Sequence, residues 1–235
     1  LGIAASLPRS VNLATLSANL AGGTLPWLPS KPPEPTDVLN LIQAWSPGLV
    51  FMQEVHLATM IPKFQRVGKI IAAANNIYPT RGEFGNLWSV DPNIEVLSAD
   101  REKLPDSGIF TGRNATILRL ALPGGVPVVT LGTHLSPGQN DRQEQLKYLH
   151  DIARDYNVDF LIGDLNQRLD QVRHTVSGHR SAAHFSVAPS YPATKPKTAM
   201  DGVVPLRSRI EAIAATAYPI KSDHKAVLTN LTIAA

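Results

Sequence analysis

Glutamate, aspartate, asparagine and histidine stand in this sequence at points where burial of apolar surface has no use for them. Glu54 ends the run Leu49-Val50-Phe51-Met52-Gln53, Asp164 and Asn166 follow Phe160-Leu161-Ile162, and His134 lies within Thr130 to Leu135. An apolar strand gains nothing from an acid at its tip, because the charge resists leaving water. Strand ends of this kind instead present oxygen and imidazole groups along one edge, where loops can build a site. Singly, Asp and Asn are ordinary turn formers and helix caps, so the inference rests on their recurrence. Oxygen-rich ligands without thiolate suit a hard cation, Mg2+ or Mn2+, bound through one or two carboxylates with positions left for a substrate phosphate. Asn19, Glu54 and Asp223 are the candidate metal ligands. A metal there stabilises a leaving oxyanion while a nearby imidazole, His224, takes a proton from water.

The blocks that carry these residues follow one another along the chain. They are Ser17-Ala18-Asn19-Leu20, Gln53-Glu54-Val55, Gly85-Asn86-Leu87-Trp88-Ser89, Gly132-Thr133-His134-Leu135, Gly163-Asp164-Leu165-Asn166, Met200-Asp201-Gly202-Val203 and Ser222-Asp223-His224. In this order, over about residues 11 to 233, the sequence resembles the endonuclease/exonuclease/phosphatase superfamily, of which deoxyribonuclease-like enzymes are members. Thr-His-Leu or Gln-Glu alone is a weak signal; Gly-Asp-Leu-Asn followed by Ser-Asp-His is a specific one.

The resemblance implies an α/β fold, a four-layer sandwich of two packed, mainly antiparallel β-sheets flanked by helices, with a metal site at one edge. It implies that Asn19 and Glu54 lie at a magnesium ion, manganese being the alternative, with Glu54 the principal ligand. Asp201 would orient His224, and this pair would activate water; Asp164 and Asn166 would position metal, nucleophile and phosphate; His134 would contact the phosphate. Asp223 matches an outer or second-metal ligand. Arg113 and Asn86 join His134 and Asn166 as substrate-binding residues, and Glu83 is a candidate to orient His134. Two departures bear on substrate preference: Gly202 stands where relatives carry an aromatic or His, and Ala18 where many carry Trp.

The elements that must position these groups can be read from periodicity. Leu7 to Leu20 reads as a first strand with a turn at Gly22-Gly23, and five prolines between Pro26 and Pro35 make a rigid surface loop. A helix starts near Thr36 and stops at Ser46-Pro47-Gly48; the strand Leu49 to Met52 follows, and a second helical pattern spans about Leu57 to Asn76. Strands are expected at 86–90, 94–97, 115–122 and 126–135, then a helix from Arg142 to Tyr156 and a strand from Val158 to Ile162. A long polar segment from Gln167 to Lys197 reads as a functional loop, and strands near 199–205, 210–217 and 226–233 close the chain.

Composition sets the bounds. The 235 residues are 43% hydrophobic and 17% charged, ordinary for a globular chain and enough for a large core, so one domain over residues 1–235 is expected. Residues 1–10 read as a linker or the remnant of a processed leader, and the sequence does not choose between cytoplasmic and secreted. No apolar run reaches the roughly 18 residues of a membrane span. The absence of cysteine excludes disulfides, thiolate zinc sites and thiol nucleophiles. Glycine pairs Gly22-Gly23 and Gly124-Gly125 lack the Lys of a phosphate loop, no Gly-x-Ser-x-Gly elbow occurs, and His174, His179 and His184 have no helical zinc spacing. The net charge of +3 favours anionic partners. Nine Lys or Arg against four acids lie between Arg168 and Lys225, which fits a phosphate-binding face or a solvated surface.

The function expected is a metal-dependent phosphodiesterase, a nuclease hydrolysing DNA or RNA by water attack with nucleic acid as its partner. Two other readings stay open: a phosphatase or phosphodiesterase acting on a phospholipid or other small phosphoester, and a non-catalytic binding module on the same scaffold.

Overall fold

Two parallel strand pairs, each joined by a helical crossover, carry the ends that matter for function. The computed structural model describes residues 10–20, 35–78, 82–105, 112–177 and 185–235. In the first crossover β1 (Ser10–Asn19) leads through α1 (Thr36–Trp45) to β2 (Leu49–His56), and Asn19 lies opposite Gln53. In the second, β7 (Val126–His134) leads through α3 (Gln139–Asp155) to β8 (Phe160–Asp164), and His134 lies opposite Asp164. A parallel pair needs such a crossover, and the crossover leaves both strand C-termini at the same edge.

The remaining strands are antiparallel neighbours of these pairs. The first sheet has the order β10-β11-β1-β2-β4-β3, with β3 (Lys69–Tyr78), β4 (Gly82–Val90), β10 (Ile210–Tyr218) and β11 (Ala226–Ala234). The second has the order β5-β6-β7-β8-β9, with β5 (Glu95–Lys103), β6 (Asn114–Leu122) and β9 (Asp201–Pro205). The expected mainly antiparallel sandwich is the observed one, and its layers follow from the alternation of side chains along each strand. Leu49 and Phe51 of β2 face Phe160 and Ile162 of β8 in the central core. Val50 and Met52 turn the other way, against α1 and α2 (Leu57–Phe64). Leu161 packs toward α3 and α4 (Leu169–Ser177). The rings of Phe51 and Trp88, both fully buried, sit 4.7 Å apart and tilted at the centre. Each removes on the order of 200 Å² from water, about 5 kcal/mol of transfer free energy.

Two elements differ from the sequence reading. The helical pattern expected over Leu57 to Asn76 ends at Phe64, and Lys69–Tyr78 is strand β3 paired with β4. Ala72-Ala73-Ala74 favours a helix locally, but β4 offers that segment antiparallel partners, with a register shift between Ala74 and Asn76, and Ile70 and Ile71 suit a strand. Conversely, the polar segment after Gln167 contains helix α4, whose Leu169, Val172 and Val176 are buried one turn apart against the second sheet. Gly124-Gly125 forms the β6–β7 turn as expected, both at positive φ. The turn at Gly22-Gly23, the proline loop apart from Pro35, and His179 and His184 lie outside the described residues; His174 is an exposed residue of α4. No helix among the described residues is long and apolar enough to cross a membrane.

The register of β8 against β7 depends on one backbone position. Gly163, at φ 147°, lies so close to β7 that a Cβ there would sit 1.9 Å from the carbonyl oxygen of Thr133. Gly163→Ala is expected to lower stability by about 3 kcal/mol or more, combining overpacking with backbone strain. Chemical denaturation checks this, and a midpoint unchanged from wild type would remove the constraint.

Candidate active site

The inner faces of both sheets are apolar through the core and turn polar toward one edge. On β1 the inward series runs Leu13, Thr15, Ser17, Asn19, and on β8 it runs Phe160, Ile162, Asp164, with all seven buried. Asp201 opens β9 opposite Asp164, and Asn114 opens β6 beside the end of β7, with Arg113 just before it. His224 precedes β11, which runs antiparallel to β1 and so returns to the same edge. Topology alone thus brings Asn19, Glu54, His134, Asp164, Asp201 and His224 to one end of the sandwich.

Asp164 is the centre of the cluster. Its Oδ2 accepts the Asn19 Nδ2–H bond at 2.9 Å, and its Oδ1 accepts the backbone N–H of Asn166 at 2.9 Å. His134 Nε2 is 3.3 Å and His224 Nε2 3.7 Å from Oδ2. Burial by itself would raise this carboxyl, but the two imidazoles and the Asn166 amide hold it well below the usual carboxylate range. Among the described residues it has no Lys or Arg partner. At the other end of β8, Asp159 is held in a bidentate pair by Arg209, at 2.8 and 2.6 Å. Two buried acids therefore bracket β8, Asp159 just before it, neutralised by a fixed cation, and Asp164 at its end, not so neutralised.

His224 and Asp201 form the second feature. His224 Nδ1 is 2.7 Å from Asp201 Oδ2, which also accepts the Ser190 hydroxyl at 2.6 Å. Burial opposes a charged imidazole, yet the Asp201 hydrogen bond and the charges of Asp164, Asp201 and Asp223 push His224 up to about 9. Burial and the Asp164 charge push Asp201 upward as well, against the His224 and Ser190 bonds. The imidazole is thus favoured in its charged form beside Asp201, with Nε2 3.7 Å from Asp164 Oδ2.

Glu54 reaches the site by a distortion. The β2–β4 register slips between Met52 and Val55, and Glu54 takes φ 54°, so the bulge re-aims its side chain. Its Oε1 lies 3.9 Å from His134 Nε2. Asn166, at φ 47°, turns its Nδ2 to the Leu135 carbonyl at 2.8 Å and to within 3.3 Å of His134 Nε2. Asn86 is buried on β4 across from the bulge, and Arg113 is mostly buried with its carbonyl accepting the Leu104 amide. Asp223 stands apart: it is exposed, its carboxylate accepts the Ser222 hydroxyl at 3.4 Å, and it makes no hydrogen bond or ion pair with Asn19, Glu54 or Asp164 among the described residues. Its effect on the cluster is its charge on His224. Of Glu83 the backbone lies in β4, while its side chain falls outside the described residues.

Two residues of the site were absent from the sequence reading. Ser190 fixes Asp201, and the ring of Tyr191 lies 4.7 Å from that of His224. Both sit in the segment after α4, which folds over the Ser222–Lys225 loop through the bonds Ala193 N–H to Asp223 O and Lys225 N–H to Ser190 O. Nothing in a Ser-Tyr-Pro string signals such a contact, which exists only through long-range pairing.

The donors fit a hard cation. Asn19 commits its amide nitrogen to Asp164, leaving an oxygen as its other polar atom, and Glu54 supplies a carboxylate. Ligand atoms of Asp164, Asp201 and His224 also lie within 4.8 Å of one another. Within that trio His224 Nδ1 and Asp201 Oδ2 are already in contact at 2.7 Å, so each has a partner inside the cluster.

The architecture matches solved structures. An endonuclease/exonuclease/phosphatase family protein from Bacteroides thetaiotaomicron superimposes with a TM-score of 0.73 at 12% identity, covering 97% of this chain and 100% of the other. This chain has the endonuclease/exonuclease/phosphatase fold. Other structures with that fold include D. rerio TDP2 complexed with single strand DNA product, with a TM-score of 0.66, 15% identity and coverage of 94% and 98%. A mannosyl-6-phosphatase from Bacteroides thetaiotaomicron VPI-5482 gives 0.67, 13% identity and coverage of 93% and 99%. No protein-family model matches the chain, and no curated protein matches it at a significant level.

The upward shift of His224 has a measurable consequence. A group whose folded value lies above its unfolded one, about 6.5 for His, stabilises the fold fully below that pH and loses the contribution as pH rises through about 9. In metal-free protein an NMR titration of His224 is expected to show a midpoint near 9. In Asp201→Asn it should fall toward the ordinary value, and an unmoved midpoint would separate the two residues.

Proposed function

We propose that the protein is a divalent-metal-dependent phosphodiesterase, with nucleic acid as its substrate and Mg2+ as its metal. One observation carries the reading: a cation-seeking carboxylate, Glu54, and a base-like pair, Asp201–His224, meet the same buried Asp164 cluster from different elements. Asn19 and Glu54 would hold the metal, which supplies stabilisation of charge on the phosphate and leaving oxygens. Asp201 fixes the His224 ring, and in its neutral form, whose share grows as pH rises toward about 9, Nε2 can take a proton from a water molecule. Asp164, with Asn166, orients that water, while His134, Asn166, Arg113 and Asn86 face the phosphate oxygens. The remaining candidate ligand, Asp223, acts through its charge at the rim.

Charge distribution favours a polyanion over a small phosphoester. In the basic series that begins at Arg168, Arg168 itself pairs with Asp170 and Arg209 with Asp159. Arg173 lies over the ring of Phe185, and Arg207 donates to Asn157 and the Val158 carbonyl at the far end of the sandwich. Lys195, Lys197, Lys221 and Lys225 stand on the two loops tied together beside His224, and their ammonium groups make no ion pair with a carboxylate among the described residues, although the Lys221 amide donates to Asp37 Oδ2 at 3.0 Å. Four ammonium groups thereby form a lysine crest beside His224, at the rim of the site. A mannosyl-6-phosphatase shares the fold, so a small phosphoester is the second reading, and a binding module without turnover the third.

Supercoiled plasmid is expected to be nicked with magnesium and left intact with chelator. Glu54→Ala should abolish the metal-dependent cleavage, and His224→Ala should slow it by about 10²–10⁴-fold. Full activity in Glu54→Ala would take that residue out of the site. Replacing the four crest lysines by Gln should flatten the salt dependence of nucleic-acid binding by roughly three in log–log slope, and leave turnover of a bis-aryl phosphodiester dye unchanged. Turnover of small phosphoesters alone, insensitive to salt, would favour the second reading.

A further inference from the structure

Helix α3 carries a buried amide where its neighbours on the same face are Leu146, Leu149 and Ile152. Gln145 is fully buried, and both ends of its side chain are used. Its Oε1 accepts the backbone N–H of Ser136 at 2.9 Å, and its Nε2 donates to the Ser136 hydroxyl and to the Pro105 carbonyl, each at 2.9 Å. One turn earlier, Arg142 Nη1 donates to the carbonyls of Ser136 and Pro137 at 3.2 and 2.6 Å, and its Nε donates to Gln167 Oε1 at 3.1 Å. All the acceptors of this guanidinium are neutral, and among the described residues it pairs with no carboxylate.

The segments held in this way share one property. Ser136 and Pro137 follow His134-Leu135, and Gln167 follows Asn166. Pro105 follows Leu104, whose amide bonds the Arg113 carbonyl. Leu135 in turn donates its N–H to the Asp164 carbonyl and accepts the Asn166 side chain. A leucine at position 145 would pack in the same apolar face without requiring three hydrogen bonds, and a buried amide is tolerated only when it is satisfied. The amide therefore serves alignment rather than burial.

We infer that Arg142 and Gln145 are positioning residues that set His134 and Asn166 against Asp164, and so fix the phosphate-facing half of the site through bonds that do not involve Asn19 or Glu54. The two halves have separate supports: β1 and β2 of the first sheet carry Asn19 and Glu54, while α3 braces loops of the second. The inference rests on the phosphodiesterase reading for its kinetic arm only.

The experiment uses the full chain, with Arg142→Ala, Arg142→Lys and Gln145→Leu beside wild type, assayed well below each variant's melting midpoint. With a bis-aryl phosphodiester, Arg142→Ala and Gln145→Leu are expected to lower kcat by about 10- to 100-fold, as a misplacement of about 1 Å does. Apparent Mn2+ affinity by calorimetry should stay within about twofold of wild type, since its ligands are braced elsewhere. Arg142→Lys keeps the charge but not the planar fork and should fail to restore kcat. In metal-free protein the His134 ring and Asn166 side-chain amide resonances should move in Arg142→Ala and Gln145→Leu. Lowered melting midpoints with unchanged kcat and unchanged resonances would overturn the inference, as would full rescue by Arg142→Lys, which would make the charge itself the active feature. Absence of metal-dependent turnover in wild type would count against the phosphodiesterase reading, and the resonance shifts would then decide the positioning role alone.

Discussion

An anionic carboxylate 1% exposed and without a Lys or Arg partner among the described residues must be stabilised by hydrogen bonds and imidazoles, or it would take up a proton. Asp164 meets that condition with donors drawn from separate parts of the chain: Asn19 from β1, His134 from β7, Asn166 from its own turn and His224 from the loop before β11. The two sheets are therefore joined at this edge through one carboxylate, just as they are joined in the interior by Phe51, Trp88 and Phe160. Packing of the sandwich and assembly of the candidate site are consequences of the same register.

The two ends of β8 show how the same residue type serves different ends. Asp159 receives both arms of Arg209 and the Val129 amide, and Arg209 also donates to the carbonyls of Pro127 and Ala234. That network closes the far end of the sandwich with its charge cancelled in place. At the near end part of the compensation comes from the His224 imidazole, so charge there can change with pH, whereas an arginine pair cannot.

Much of this was legible in the sequence because strands and crossovers have local signatures. The apolar runs 49–52 and 160–162, with acids at their ends, gave both the strands and the edge on which the site lies. Periodicity failed where local and tertiary preferences conflict: the alanines of β3 suggest helix until β4 supplies a ladder, and the polar residues of α4 mask its Leu169, Val172 and Val176 stripe. Ser190, Tyr191, Arg142 and Gln145 were illegible for another reason. Each acts through a contact with a distant segment, and nothing in its own neighbourhood marks it.

Backbone strain is distributed in a way that supports this division. Among the described residues the positive-φ residues other than glycine are Ser46, Asn157, Glu54 and Asn166. Ser46 caps α1, and Asn157 follows the end of α3, where a left-handed residue is the common way to end a helix. Glu54 and Asn166 end no helix. Each holds a conformation that costs on the order of 1–3 kcal/mol, and each follows directly on a strand segment packed into the central or flanking core. A glutamate in an ordinary strand conformation at position 54 would point along the alternation of β2 rather than toward His134, so the bulge is what converts a strand residue into a site residue. The core supplies the rigidity that keeps that geometry populated, and it does so before any ligand arrives.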